Sequence, residues 1–118
     1  MKTAKTFQDL EVWQKAHQLV LNIYKTSKFF PKEEAFGITS QIRRASISIP
    51  ANIAEGFKRK GLNDKARFYN IAQSSIEEVR YYLILAEDLQ YMKSDVSLSN
   101  IDEIARMLDS YIRKIRTE

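Results

Sequence analysis

Cysteine is absent from the 118-residue chain, so neither a disulfide framework nor a thiolate metal site can form. Three glycines and two prolines leave little turn material for a sheet protein. The chain has one histidine, His17, and no arginine precedes it. Glu-x-x-His pairs on two helices, which a di-iron bundle needs, are missing, as are histidine zinc motifs and glycine-rich phosphate loops. Adjacent carboxylates such as Glu77-Glu78 and Glu87-Asp88 point about 100° apart on a helix, which suits solvated faces better than acid/base dyads. These gaps argue against an enzyme and against any cofactor. The longest charge-free stretch, Ala45 to Ala54, is too short to span a bilayer and holds Pro50. The N-terminus has no apolar run of the signal-peptide kind. A soluble, cytoplasmic chain with no membrane partner is the expectation.

What the chain does have is Leu, Ile, Ala, Lys, Glu and Gln in helical spacing. A single domain over residues 1–118 is expected, all-α, an up-down-up-down antiparallel four-helix bundle with short connections. The helices are expected at about 9–28, 33–59, 63–92 and 100–116. Thr6 with Asp9, and Ser99 with Asp102, have capping-box spacing; Asn63 is placed to cap the third helix. Glu33 and Glu34 suit the positive end of the second. Pro50 removes one backbone bond, which predicts a kink in helix 2 because the stripe Ile38, Ile42, Ala45, Ile49, Ile53 continues past it. Trp13, Ile42, Ile49, Ile76, Leu83 and Leu108 are the expected core.

Two features exceed what one bundle core can absorb. Ile47, Pro50 and Ala54 fall roughly opposite the stripe of helix 2, and Tyr81 to Ala86 is apolar all round. A lone protomer would expose these surfaces, so self-association into a homo-oligomer is expected.

Charge is local. Arg43, Arg44, Lys58, Arg59, Lys60, Lys65 and Arg67 face only two acids, Glu55 and Asp64, in the same segment. Phe57, Phe68 and Tyr69 are interleaved with them, a composition suited to phosphate contacts with some base stacking. These seven residues are the candidate nucleic-acid contacts for RNA or DNA. No helix-turn-helix or RNA-module signature is visible. The alternative is that the charge docks a partner protein. Asn52 and Glu55 sit at the edge of the core stripe, and Arg59 lies four residues after Glu55. Asn52, Glu55 and Arg59 are therefore read as a structural polar network.

Phe7-x-x-Leu10-x-Val12-Trp13-Gln14-Lys15-Ala16, Ile23-Tyr24, Phe30-Pro31 and Gln41-x-Arg43-Arg44-Ala45-x-x-Ser48-Ile49-Pro50-x-Asn52-Ile53-Ala54-Glu55-Gly56 stand in this order. In these motifs the chain resembles the bacterial 23S rRNA intervening-sequence proteins, also described as ribosomal-protein-like. The resemblance implies a four-helix bundle assembled as a ring-like homopentamer, with no catalytic residues. The chain is also similar to the accessory protein of diversity-generating retroelements, which implies nucleic acid or a reverse transcriptase as partner. The family pattern commonly has Gly-Ser where this chain has Ser74-Ser75.

Overall fold

A computed structural model describes residues 3–117. Four helices follow one another: α1 Glu11–Ser27, α2 Ile38–Lys58, α3 Leu62–Asp88 and α4 Asp95–Arg116. No strand occurs among the described residues. Each helix buries one stripe. Leu19 and Ile23 from α1, Ile42, Ile49 and Ile53 from α2, Tyr69, Ile76 and Leu83 from α3, and Ile101, Ile104 and Leu108 from α4 form one continuous core.

α1 packs on α2 and α4, and α3 packs on the same two; α2 with α3 is the most extensive pairing. Cross-helix contacts show neighbours running in opposite directions. Arg44 meets Glu78, Ser48 meets Ser75 and Gly56 meets Lys65, so numbers rise on α2 as they fall on α3. Arg80 meets Asp102, Gln73 meets Asp109 and Tyr69 meets Tyr111 in the same sense between α3 and α4. The body measures 47 × 24 × 19 Å.

Several helix ends differ from the sequence expectation. α1 starts at Glu11 because Asp9 closes a 3₁₀ turn instead: its carboxylate accepts the backbone N–H groups of Lys5 at 2.9 Å and Thr6 at 3.0 Å. Those donors hold the Asp9 carboxyl below the usual carboxylate range. α2 starts at Ile38, not Glu33. Glu33 and Glu34 belong to a separate 3₁₀ turn, Lys32–Glu34, where the Glu34 carboxylate accepts the Tyr91 hydroxyl at 2.7 Å.

Gly61, not Asn63, is the N-cap of α3, and Asn63 lies in its first turn. α3 stops at Asp88 because Gln90 turns left-handed at φ 64°. The N–H of Gln90 donates to Glu87 and that of Tyr91 to Ala86, the paired bonds of a Schellman end. α4 begins at Asp95, so Ser99 caps nothing and Asp102 pairs with Arg80. The start is set by Glu87, whose carboxylate accepts both the N–H and the hydroxyl of Ser94, at 2.8 and 2.9 Å.

The core expectation holds except at Trp13. Trp13 is half-buried, with its ring stacked on His17 at 5.0 Å and edge-on to Phe7 at 5.1 Å. It sits at the rim of the α1 stripe, which is led by Val12 and Ala16. Pro50 is buried inside α2, one turn on from buried Ser46, while Ile47 is exposed. The Tyr81–Ala86 run divides: Leu83 and Ala86 are fully buried, while Tyr81 and Ile84 are exposed.

Candidate nucleic-acid interface

Antiparallel packing brings the end of α2, the start of α3, the start of α1 and the end of α4 to one end of the bundle. Lys5, Phe7, Ala54, Phe57 and Lys58 line one hollow there. Leu10 to Val12 of the α1 start line another with Arg106 to Lys114 of α4. Residues 3–12, 54–69 and 110–117 together carry nine basic and four acidic side chains. Four of the nine, Lys5, Arg113, Lys114 and Arg116, lie outside the segment that sequence reading singled out. The basic last turn of α4 was the available signal, since an antiparallel bundle must set it beside the start of α3.

The seven predicted contacts do not form one cluster. Arg43 and Arg44 lie fifteen and fourteen residues, about 21–22 Å, before Lys58 on the same helix. Both are engaged. Arg43 Nε donates to Ser27 Oγ at 2.8 Å, with its guanidinium 4.7 Å from the Tyr24 ring centre. Arg44 Nη2 lies 2.6 Å from Glu78 Oε2 and also donates to Gln41. These two arginines tie α2 to α1 and α3.

At the basic end itself the cations fall into three conditions. Lys65 is built into the fold: its Nζ donates to the carbonyls of Gly56 at 2.8 Å and Phe57 at 2.9 Å. It thereby joins the Arg59 N–H on the Gly56 carbonyl and supplies a donor to the Phe57 carbonyl, in the last turn of α2. Burial pulls its ammonium below the ordinary lysine range.

Arg59 and Arg67 converge on Phe68, at 4.6 and 4.5 Å from its ring centre. Asp64 holds both, 2.9 Å from Arg67 and 3.7 Å from Arg59, and Glu55 adds a 3.2 Å contact to Arg59. Lys58 and Lys60 are exposed and form no ion pair among the described residues, and the same is true of Arg113 and Arg116.

The expected Asn52–Glu55–Arg59 network separates into two sets. Glu55 and Arg59 pair at the surface. Asn52 Nδ2 instead donates back to Ser48, to its carbonyl at 2.7 Å and its hydroxyl at 3.0 Å. Ser75 donates to the same Ser48 hydroxyl at 2.7 Å, joining α3 to α2. Side chains on a helix lean towards its N-terminus, so the short Asn52 amide reaches Ser48 one turn back and not Arg59 two turns ahead.

Among the described residues no group of three His, Asp or Glu side chains is placed to hold a metal, and no helix is long and apolar enough to cross a membrane.

The fold and this charge distribution define an all-α four-helix-bundle protein with a basic end. More narrowly, the chain belongs to the 23S rRNA-intervening sequence protein family, whose model matches residues 8–110. A solved structure similar to it is a protein of unknown function from the S23 ribosomal protein family of Bacteroides thetaiotaomicron, with 28% identity and a TM-score of 0.80. The alignment covers 86% of this chain and 95% of that one. No curated protein matches the chain.

Proposed function

We propose that the chain is a non-enzymatic, homo-oligomeric helical protein that holds RNA or DNA by its phosphates at the basic end. The observation that carries this reading is the convergence of nine basic against four acidic side chains at one end of the bundle. Lys58, Lys60, Arg113 and Arg116 are four of its exposed cations, unpaired among the described residues; Lys58 comes from the end of α2, Lys60 from the turn after it, and Arg113 and Arg116 from α4. The family's name, which refers to 23S rRNA, is in keeping with an RNA partner.

Self-association rests on exposed apolar side chains on two faces. Leu21 and Ile47 are 51% and 43% exposed on the α1/α2 side, and Tyr81 and Ile84 are 57% and 45% exposed on α3. Phe36, in the turn before α2, is 98% exposed. Two unlike apolar faces on one protomer favour head-to-tail contacts, which close into a ring when the rotation permits. The homopentamer implied by the family resemblance is an assembly of that kind. In a ring the basic end is repeated on every subunit, so weak phosphate contacts add through effective concentration.

The test pairs light scattering with titration of single-stranded RNA and duplex DNA across salt concentrations. Affinity should fall with salt, with a slope of about 0.9 per phosphate contact on duplex DNA and about 0.7 on single strands. Reversing Lys58, Lys60, Arg113 and Arg116 to glutamate should abolish binding at unchanged helix content and mass. Lys65 is left intact in that variant because it caps α2. A parent protein that binds neither nucleic acid at low salt overturns the reading.

A further inference from the structure

We propose that the hollow between α1 and α4 at the basic end receives an acidic amphipathic helix of a partner protein. This does not depend on the nucleic-acid reading. α1 and α4 make the least extensive contact of the neighbouring helix pairs. Their seam opens into a hollow of about 500 Å³ floored by Leu10, Val12, Met107 and Tyr111.

The rim supplies the charge. Arg106, Ser110 and Lys114 follow at successive turns of α4, so the two cations stand about 12 Å apart along the axis. Both are exposed, and neither forms an ion pair among the described residues. Across the hollow, on α1, stands Glu11. A helix laid in the seam would therefore direct carboxylates two turns apart towards α4 and turn them away from Glu11, which fixes its rotation.

The floor adds one polar handle. Tyr69 is fully buried and its hydroxyl lies 3.4 Å from that of Tyr111. With Tyr69 donating, the Tyr111 hydroxyl keeps its own proton to donate.

Chemistry favours a peptide over a nucleic acid at this place. Phosphates gain nothing from the aliphatic floor of Leu10, Val12 and Met107. Leucine-type side chains at helical spacing fit Leu10, Val12 and the adaptable Met107.

The experiment uses labelled helical peptides of about 15 residues, long enough for both cations to be reached. One carries leucines on one face and glutamates two turns apart; a second has lysines in place of the glutamates; a third is the first shuffled. Fluorescence anisotropy with the full chain should show the acidic peptide binding at least about tenfold tighter than the other two. The double variant R106E/K114E should reverse the preference towards the lysine peptide. K58E/K60E, which tests the nucleic-acid reading, should leave peptide affinity unchanged. Equal binding of the shuffled peptide overturns the proposal, and so does unchanged binding of the acidic peptide to R106E/K114E. If single-stranded RNA displaces the peptide and R106E/K114E loses RNA to the same degree, the hollow belongs to the nucleic-acid surface and the proposal fails.

Discussion

A β-carbon added to Gly56 on α2 would lie 2.5 Å from Cε1 of Tyr69 on α3. The two helices approach at this point closely enough for an aromatic ring to lie against bare backbone. Gly56 is buried and Tyr69 is fully so, which leaves neither room to move.

Gly56→Ala should therefore destabilise the protein, although alanine is the better helix former by about 1 kcal/mol. Overpacking of this kind costs about 1–3 kcal/mol. Thermal melts of the variant and the parent check it. The pair Gly56→Ala with Tyr69→Leu should recover part of the loss, because the ring that clashes has gone.

Gln90→Gly should act in the opposite direction. Gln90 occupies the left-handed region at φ 64° to end α3, a conformation that costs side-chain-bearing residues about 1–2 kcal/mol. Glycine at that position should raise stability by about 0.5–1 kcal/mol, read as an upward shift in Tm.

Alkaline pH should unfold the protein, in part through Tyr69. Burial and then the bond to Tyr111 push its hydroxyl above the ordinary value of 10.0. As pH rises past that value the tyrosine of the unfolded chain loses its proton first, so the unfolded state binds fewer protons. The contribution is complete below about pH 10 and is lost as pH climbs towards the folded value. Tyr82, through burial and then Glu78, and Tyr91, through its bond to Glu34, shift the same way. Lys65 shifts oppositely: its depressed folded value makes stability rise with pH below its ordinary 10.5. Denaturant melts at about pH 8 and about pH 11 should show a smaller alkaline loss in Tyr69→Phe than in the parent.

Asp64→Asn should tighten nucleic-acid binding and steepen its salt dependence. The change removes the carboxylate that both Arg59 and Arg67 now face, at 3.7 and 2.9 Å. The ion pairs are exposed, so stability should change by less than about 1 kcal/mol. An unchanged salt slope in filter-binding or anisotropy titrations would show that the two arginines stay out of the contact.

The core was legible because its signal is periodic. Ile42, Ile49, Ile76, Leu83 and Leu108 recur at helical spacing, and burial follows directly. Caps were less so. Ser94 is fixed by Glu87 seven residues upstream, across a loop, where no short motif marks it. Glu34 looked like a helix start and serves instead as an acceptor for Tyr91, fifty-seven positions away. The basic end was half legible: Lys58 and Lys60 share a run, whereas Arg113 and Arg116 join them only through the antiparallel path of α4. Arg43 and Arg44 were drawn in by nearness in sequence, which along a helix means distance in space.

Trp13 has a use that follows from its position. It is the one tryptophan in the chain, half-covered at the edge of α1 and stacked on the one histidine. Its emission therefore reports on a single place, without any label. A neighbouring molecule that covers that edge would shift the spectrum to shorter wavelength, and dilution would return it. If protomers meet over that edge, Trp13 becomes an optical gauge of their association, readable at concentrations too low for light scattering.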